Sequence, residues 1–430
     1  MKLLNSTYIR AGNKKNRVNL SGSDQISSNI GVPMILFFEE RIDEQAIHNA
    51  LMEILPEWYV FAGRIKRGKD NKPYIDCNDA GMLLETYEHR MEMPHPNIDT
   101  PLRGALRKFH KVIMPWQVEN KDQPVCVIQL HHFVNDANEN RGSIFSITTC
   151  HTVADGWGMW VFTEAISQSI QGKSRQKPNH DRSSIKEIAQ QHMETLAEAG
   201  RKPNSPRLSD ANLLQKGIFT LRVLKNVIFT KPNELFLLTA DKIESIRSSQ
   251  PDKRLSRQDI AIGVIAKAMQ LESVGALYNM RLDKEFSVPQ NFSGNALVYR
   301  EFNMSESPDN DKSIAWYAQK WREANHSDDS LDVMQYIVHL EDRYDAGLIK
   351  NVLPLNLFTI FDKGILINNY SVFPIYNVDF GGGPAFWYEM LPLPFRGALI
   401  TNTPKNDGGM ILNLTADQWQ LDNVRRLLRD

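Results

Sequence analysis

The chain has 430 residues, which is enough for two or three domains of ordinary size, and 42% of them are hydrophobic, so large cores can be buried. Its 50 lysines and arginines and 51 aspartates and glutamates nearly cancel, which argues against a nucleic-acid-binding protein. Three cysteines, at 77, 126 and 150, are too few for a disulfide framework. We see no signal peptide and no membrane-spanning run, and we expect a soluble cytoplasmic protein.

The first part of the chain alternates between strand and helix patterns. Residues 32–40 predict a strand, and apolar residues at helical spacing predict a helix over 42–55 that ends near Pro56. Two apolar runs separated by a polar turn, 124–133 and 142–151, predict a hairpin or two neighbouring strands. The run 159–170 predicts a helix.

A polar segment with prolines separates two halves of similar size. Residues 183–200 predict a helix inside this crossover. The second half then predicts a strand, a helix capped by Thr239, a buried helix capped by Ser256, a β-rich run over 364–380 and a final helix at 415–430. Because helices and strands mix throughout, we expect an α/β (α+β) fold, divided into an N-terminal domain (1–172), a crossover linker (173–217) and a C-terminal domain (218–430).

His151 stands where a predicted strand ends and a glycine-containing turn begins, which is a usual place for a reactive side chain. Gly156 and Gly158 argue against a helix that would place His151 and Asp155 on one face. Asp155 then either orients the imidazole or turns away and holds the loop through an ion pair. A core histidine bonded to a backbone carbonyl is the non-catalytic alternative.

Two further segments contain residues with candidate roles. Three glycines follow Phe380 in "YNVDFGGGPAF", which permits close backbone approach or positive φ, although a simple tight turn explains them equally well. Arg281 follows a strongly apolar helix. If it is buried it needs a carboxylate partner, and otherwise it is a solvated loop residue.

The histidines and cysteines also permit other chemistries. His131, His132 and Cys150 suggest zinc, but their spacing fits no compact ligand pattern, so we predict no metal site. Cys150 beside His151 suggests a thiol nucleophile. Adjacent side chains on a strand point to opposite faces, which argues against that pairing.

Taken in order, several blocks resemble the BAHD acyltransferases. They are "VNLSGSDQ", "ILPEWYVFAGRIKR", "HTVADG" (the HxxxDG pattern), "LSRQDIAIGVIAKAM", "YNMRLDKEFSVPQNFSGNA" and "SVFPIYNVDFGGG". The resemblance implies two similar-sized domains, each a mixed sheet flanked by helices, with a tunnel between them. It also implies a monomer that moves an acyl group from acyl-CoA, as co-substrate, to a hydroxyl of a small molecule, with no permanently bound cofactor.

The resemblance assigns roles by position. His151 would be the general base, Asp155 would set the loop geometry, and Arg281 would be the partner of Asp155. The motif residues Asp379, Gly381 and Gly383 would be structural. Cations near the tunnel mouth would contact CoA, and the basic segment before the buried helix supplies the candidates Lys253, Arg254, Ser256 and Arg257. No covalent acyl-enzyme is needed.

Two departures from the family pattern are informative. Gly382 replaces the usual tryptophan of the glycine motif, and we expect activity to survive because that motif lies away from the tunnel. Tyr370 and Val372 stand where some members have a tryptophan and an arginine. A tyrosine hydroxyl can still donate to an oxyanion, but valine cannot bind a carboxylate, so we predict a neutral or apolar acceptor.

Two other functions are compatible with the sequence. They are an N-acyltransferase of the same family and a non-catalytic homologue that binds a ligand. A peptide-synthetase condensation domain usually has a second histidine before the first, where this chain has Cys150. The chloramphenicol acetyltransferases place HxxxDG near the C-terminus of a shorter chain, whereas here it lies mid-chain.

Overall fold

The computed structural model describes residues 1–26, 30–135, 137, 139–200, 208–228, 231–250, 254–283, 286–304, 313–325, 330–349, 352–354, 364–393 and 395–429. Lys253 lies outside these residues. The strands are β1 (Lys2–Ile9), β2 (Val18–Asn19), β3 (Gly31–Phe38), β4 (Arg64–Arg67), β5 (Pro73–Asp76), β6 (Met82–Arg90), β7 (Cys126–Val134), β8 (Asn140–Cys150), β9 (Leu208–Asp210), β10 (Asn233–Leu238), β11 (Ser273–Asn279), β12 (Leu297–Asn303), β13 (Val352–Pro354), β14 (Gly364–Asn369), β15 (Trp387–Glu389), β16 (Gly397–Asn402) and β17 (Met410–Thr415).

The helices follow the same chain order. They are α1 (Gly22–Ile26), α2 (Glu44–Ile54), α3 (Gly156–Ile170), α4 (Ser183–Glu198), α5 (Leu213–Ile228), α6 (Ala240–Ser248), α7 (Arg257–Met269), α8 (Ile314–Asn325), α9 (Ser330–Asp345) and α10 (Gln418–Arg429). In the part of the chain that the structure describes, no helix has both the length and the apolarity needed to cross a bilayer.

Two mixed six-stranded sheets form the framework. The first has the order β1-β6-β7-β8-β3-β15, and the second has the order β10-β17-β16-β14-β11-β12. The first sheet packs on α2 and α3 around one apolar core, and the second packs on α7, α8 and α10 around another. Each sheet is therefore flanked by its own helices, as the mixed α/β prediction required.

The predicted hairpin is confirmed and lies inside the first sheet. Strands β7 and β8 are antiparallel, with Val127 opposite Thr148, and nearly all their residues are buried. Burial on both faces explains why their apolar runs are continuous rather than alternating. Strand β8 ends at Cys150, so His151 lies at the end of a central strand of the sheet.

Helix caps were predicted well because they depend on nearby residues. Thr239 accepts a hydrogen bond from the Lys242 N–H at the start of α6. Ser256 and Asp259 form a reciprocal capping box at the start of α7. Both assignments are confirmed.

Helix α3 begins three residues earlier than its apolar run predicted, because Asp155 caps it. Gly156 and Gly158 therefore lie in its first turn. A Cβ at Gly158 would lie 2.6 Å from the carbonyl oxygen of Ser293, so close packing selects this glycine. The β-rich run predicted for 364–380 is correct only up to Asn369. Beyond it, the chain turns and forms a short 3₁₀ helix, Ile375–Asn377.

A segment from the C-terminal half completes the first sheet. After β14 the chain leaves the second sheet, and β15 then pairs with β3, with Tyr388 opposite Leu36. Phe373, Phe380 and Tyr388 are buried in the same core as residues of the N-terminal half. The two sheets are thus joined by a shared core as well as by the crossover segment.

Candidate active site

His151 is the first residue after β8, and its backbone is held on both sides. Its N–H donates to the carbonyl of Ile30 at 2.8 Å, and its own carbonyl accepts from the side-chain amide of Asn295 at 2.8 Å. The half-buried imidazole lines a cavity of 210 Å³. Its Nδ1 is buried and has no hydrogen-bond partner among the described residues. Nδ1 is therefore not the ring nitrogen that solvent reaches.

Asp155 points away from the imidazole and organises the backbone. One carboxylate oxygen accepts from the Gly158 N–H at 2.9 Å, which caps α3. The other accepts from the Ala296 N–H at 3.0 Å and from Arg281 Nη1 at 2.8 Å. Both side chains of this ion pair are fully buried. The geometry is that of a loop clamp rather than of a carboxylate that orients the imidazole.

Arg281 satisfies its buried charge with several further contacts. Its Nε donates to the carbonyl of Phe292 at 2.9 Å, and Nη2 donates to the carbonyl of Gly294. Nη1 also reaches Asn279 at 3.1 Å. A buried ion pair is favourable only when such bonds replace the lost water, and that condition is met here. The pair thus ties the His151 turn, residues 151–155, to the loop 292–296.

A second buried ion pair lies next to the first, and the sequence analysis did not find it. Asp24 is fully buried, and its carboxylate lies 3.2 Å from Arg182 Nε. Asp24 also accepts from the backbone and side chain of Asn295, at 3.0 and 2.9 Å. Both Asp24 and Asn295 stand in blocks quoted for the family resemblance. Asp24 is 158 residues from Arg182 and 271 residues from Asn295, so no local pattern indicated these contacts.

The cavity beside His151 is formed mostly by the second sheet. Its lining comes from β11, β12, β14, α8 and the start of α3, and includes Trp157, Tyr278, Arg300, Trp321, Asn325, Asn368, Asn369 and Val372. Arg300 packs over the rings of Tyr278 and Phe302, and no sequence argument had singled it out. The lining mixes aromatic surface with amide groups and one cation from β12.

Tyr370 lines the same cavity as His151. Its hydroxyl accepts a hydrogen bond from the Asn368 amide at 3.0 Å, so the phenol proton is not used in that bond. Burial raises the pKa of Tyr370 to about 12, so the phenol is protonated at neutral pH. A protonated phenol beside an imidazole supplies a hydrogen-bond donor and a base on one cavity wall.

The predicted CoA contacts lie near one end of this cavity but not on its lining. Ser256 is engaged as the N-cap of α7, and Arg257 Nη1 reaches the carbonyl of Gly408 at 3.4 Å. Arg254 is exposed. The next residue, Gln258, does line the cavity, so this basic segment stands beside the cavity wall.

The glycine motif lies at the far end of α3 and does not line the cavity. Asp379 accepts from the N–H groups of Gly381 and Gly383 at 2.7 and 3.1 Å, and both glycines have positive φ. The carbonyl of Asp379 accepts from Ser167 and Gln171 of α3. A Cβ at Gly382 would lie 2.8 Å from Cβ of Glu40, so a larger residue there requires one of the two segments to shift.

Cys150 and its neighbouring histidines are buried in the first sheet. Burial raises the pKa of the Cys150 thiol to about 12, so a thiolate is strongly disfavoured. His131 lies 3.0 Å from His89, and His132 lies 3.0 Å from the Ser143 hydroxyl. These side chains are used in packing and hydrogen bonds of the sheet.

The chain is similar to known sequences over most of its length. A family model described as the Transferase family matches residues 6–424. Rosmarinate synthase from Plectranthus scutellarioides is 21% identical over 403 residues, which are 90% of this chain and 87% of that protein. Acetyltransferase BOT5 from Botryotinia fuckeliana is 23% identical over 165 residues, which are 32% of this chain and 29% of BOT5. The chain therefore spans under a third of the length of BOT5 in that alignment.

Comparison with solved structures supports the fold. Vinorine synthase superposes with a TM-score of 0.66 at 16% identity and covers 99% of this chain and 98% of that one. TRI101 from F. graminearum, complexed with coenzyme A and T-2 mycotoxin, gives a TM-score of 0.69 at 12% identity, over 96% of this chain and 97% of that one. Both similarities extend over nearly whole chains, so the two-domain architecture is shared.

Proposed function

This chain belongs to the Transferase family, the BAHD acyltransferases, and from that premise we propose that it moves an acyl group from an acyl-CoA thioester to the hydroxyl of a small, neutral or apolar acceptor. The observation that carries the proposal is the position of His151, which lines the same cavity as Tyr370. Imidazole is the side chain best suited to act as a base near neutral pH.

In this mechanism, Nε2 of His151 takes the proton of the acceptor hydroxyl while the hydroxyl oxygen attacks the thioester carbonyl carbon. The carbonyl oxygen becomes an oxyanion, to which Tyr370 donates a hydrogen bond. The carbon–sulfur bond then breaks, and the CoA thiolate takes the proton from the imidazolium. The proton, the acyl group and both electron pairs are accounted for without a covalent acyl-enzyme.

The buried state of Cys150 supports direct transfer. A thiol nucleophile needs access to the thioester and a lowered pKa, whereas the side chain of Cys150 is buried and its pKa is raised to about 12. The thiol side chain lies in the apolar core of the first sheet, whereas His151 lines the cavity. The chemistry therefore rests on the imidazole alone as base.

The cavity lining supports a division between donor and acceptor. We assign the wall near Gln258, with Arg254, Arg257 and Arg300, to the anionic donor, because phosphates need cations. TRI101 is described in complex with coenzyme A, and relatives such as the benzyl alcohol O-benzoyltransferase of Petunia hybrida are named for an alcohol acceptor. Val372 lines the cavity and is 43% exposed, which favours an acceptor without a carboxylate at that wall.

The test is release of free thiol from a panel of acyl-CoAs with neutral alcohols, acidic alcohols and amines as acceptors. We expect turnover with a neutral alcohol and a loss of about 10²–10⁴-fold in kcat for His151→Ala, because a positioned base contributes that much. His95→Ala, at an exposed histidine outside the cavity, is the matched control and should keep the parent rate.

Each other outcome has a definite meaning. Preference for amines would replace hydroxyl transfer with N-acyl transfer, and preference for acidic alcohols would make Arg300 a carboxylate ligand. Unchanged turnover in His151→Ala would overturn the general-base assignment. Binding of acyl-CoA without turnover of any acceptor would favour a non-catalytic ligand-binding protein.

A further inference from the structure

The His151 turn is held by a second set of contacts that does not involve Asp155 or Arg281. We propose that Asp24, Arg182 and Asn295 are positioning residues that fix the orientation of His151 by holding two carbonyl groups of its turn. This inference rests on the proposed role of His151 as general base. None of the three side chains lines the cavity beside His151, so they act through the backbone.

Asn295 makes the contact that is closest to the imidazole. Its Nδ2 donates to the His151 carbonyl at 2.8 Å and to the Asp24 carboxylate at 2.9 Å, and its backbone N–H donates to the same carboxylate oxygen at 3.0 Å. One amide group is thus shared between the turn and a buried anion. Because Asp24 fixes the orientation of the Asn295 amide, the His151 carbonyl accepts its hydrogen bond from a fixed direction.

Arg182 holds the second carbonyl. Its Nη2 donates to Val153 at 2.7 Å, while Nη1 reaches the Ser293 hydroxyl at 3.2 Å. The guanidinium also packs over the ring of Phe292, against which Arg281 packs as well. Phe292 therefore packs against both guanidinium groups. Together with Asn295, the two ion pairs hold residues 151, 153 and 155.

Asp24 is a rigid anchor because α1 is locked in place. Ser21 donates to the Asp24 carboxylate through both its N–H and its hydroxyl, each at 2.9 Å. A Cβ at Gly22 would lie 2.4 Å from the carbonyl of Leu340, so the backbone of α1 sits directly against α9. Asp24 is therefore held by contacts that do not involve the His151 turn, which is what a positioning contact requires.

The physical consequence is an effect on kcat rather than on substrate affinity. A base must lie within hydrogen-bond reach of the proton that it takes, and a misplacement of about 1 Å can cost about 10²-fold in rate. Asp155 and Arg281 fix one end of the turn, whereas His151 is at the other end. Without Asn295, the backbone of His151 itself would, among the described residues, keep the bond from its N–H to Ile30 and lose the bond to its carbonyl.

The first experiment compares Asn295→Ala and Arg182→Lys with the parent enzyme. Asn295→Ala removes the shared amide, and we expect kcat to fall about 10–100-fold while KM for acyl-CoA changes less than about threefold. Arg182→Lys keeps the charge opposite Asp24 but loses the planar guanidinium, and we expect a smaller fall of kcat. Asp417→Asn removes a remote carboxylate that pairs with Lys231 and Arg396, and it serves as the control for a purely structural loss.

A readout that does not depend on turnover is the nitrogen-15 NMR signal of the His151 imidazole, assigned by its absence in His151→Ala. We expect a changed chemical shift in Asn295→Ala and an unchanged one in Asp417→Asn. An unchanged signal together with an unchanged kcat would overturn the inference. So would a loss of kcat in Asp417→Asn equal to that in Asn295→Ala, because stability alone would then explain it.

The two proposals fail in different ways. If His151→Ala is as active as the parent, the proposed general base is wrong whatever Asn295→Ala does. If His151→Ala is inactive but Asn295→Ala and Arg182→Lys are both fully active, only the positioning inference is wrong. If Asn295→Ala does not fold, the Arg182→Lys variant decides the question by the same measurements.

Discussion

The two ends of helix α3 both meet a loop that is organised by an aspartate. At its start, Asp155 accepts from the N–H of Gly158, and near its end the carbonyl of Asp379 accepts from Ser167 while its carboxylate accepts from two glycine N–H groups. The starting loop also has two buried ion pairs, whereas no ion pair of Asp379 is found among the described residues. The difference suggests that charge is buried where a side chain must be aimed, and that hydrogen bonds suffice where a segment is only attached.

The largest expected difference between the two ends follows from Asp155→Asn. The substitution leaves the buried Arg281 without a carboxylate, and removal of one partner of a buried pair costs about 3–5 kcal/mol. We expect the free energy of unfolding in urea to fall by that amount and kcat for thiol release to fall with it. A soluble variant with the stability and rate of the parent would show that the ion pair does not hold the turn.

Acid should destabilise the protein in part through His180, which lies beside the starting end of α3. His180 contacts Ser293 and the carbonyl of Glu57, and burial, aided by Arg182, lowers the pKa of His180 from 6.5 to about 3. The unfolded chain binds a proton below about pH 6.5 that the folded chain does not bind, so this stability is complete above pH 6.5 and is lost as the pH falls towards 3. The loss is about 1.4 kcal/mol per pH unit.

The measurement is urea unfolding at pH 7 and pH 5 for the parent and for His180→Gln. His89, His131 and His132 also have pKa values lowered by burial, to about 4, 3 and 4, so the parent and the variant should both lose stability in acid. The variant should lose about 2 kcal/mol less, since one such histidine is gone. Equal losses in the two proteins would contradict the role given to His180.

The smallest effect is expected from Asp379→Asn, the same substitution at the other end of α3. The amide oxygen can still accept from Gly381 and Gly383, so the cost in the free energy of unfolding should be below about 1 kcal/mol. We expect kcat to be unchanged, because the glycine motif does not line the cavity. A large loss of kcat at unchanged stability would mean that the motif influences the chemistry.

Much of the fold and part of the site were predictable because the relevant signals are local. Hydrophobic runs and capping residues located the β7–β8 hairpin, α6 and α7. The predicted pairing of Asp155 with Arg281 matches the observed contact. That pairing depended on the family resemblance, because the residues themselves allowed a solvated Arg281. The Asp24–Arg182 pair and the position of Arg300 in the cavity were not predicted, since each depends on elements that are distant in sequence.

The sequence by itself determined which residues have the chemistry: an imidazole after a buried strand, a capping aspartate with two glycines, and a phenol in place of an indole. These properties belong to residue types and to short spacings. Only the tertiary structure decided where they point. Packing of α1 against α9 and of residues 370–390 against the first sheet brings Asp24 and Tyr370 to the His151 turn. Such contacts depend on the closure of long loops, and no local pattern encodes it.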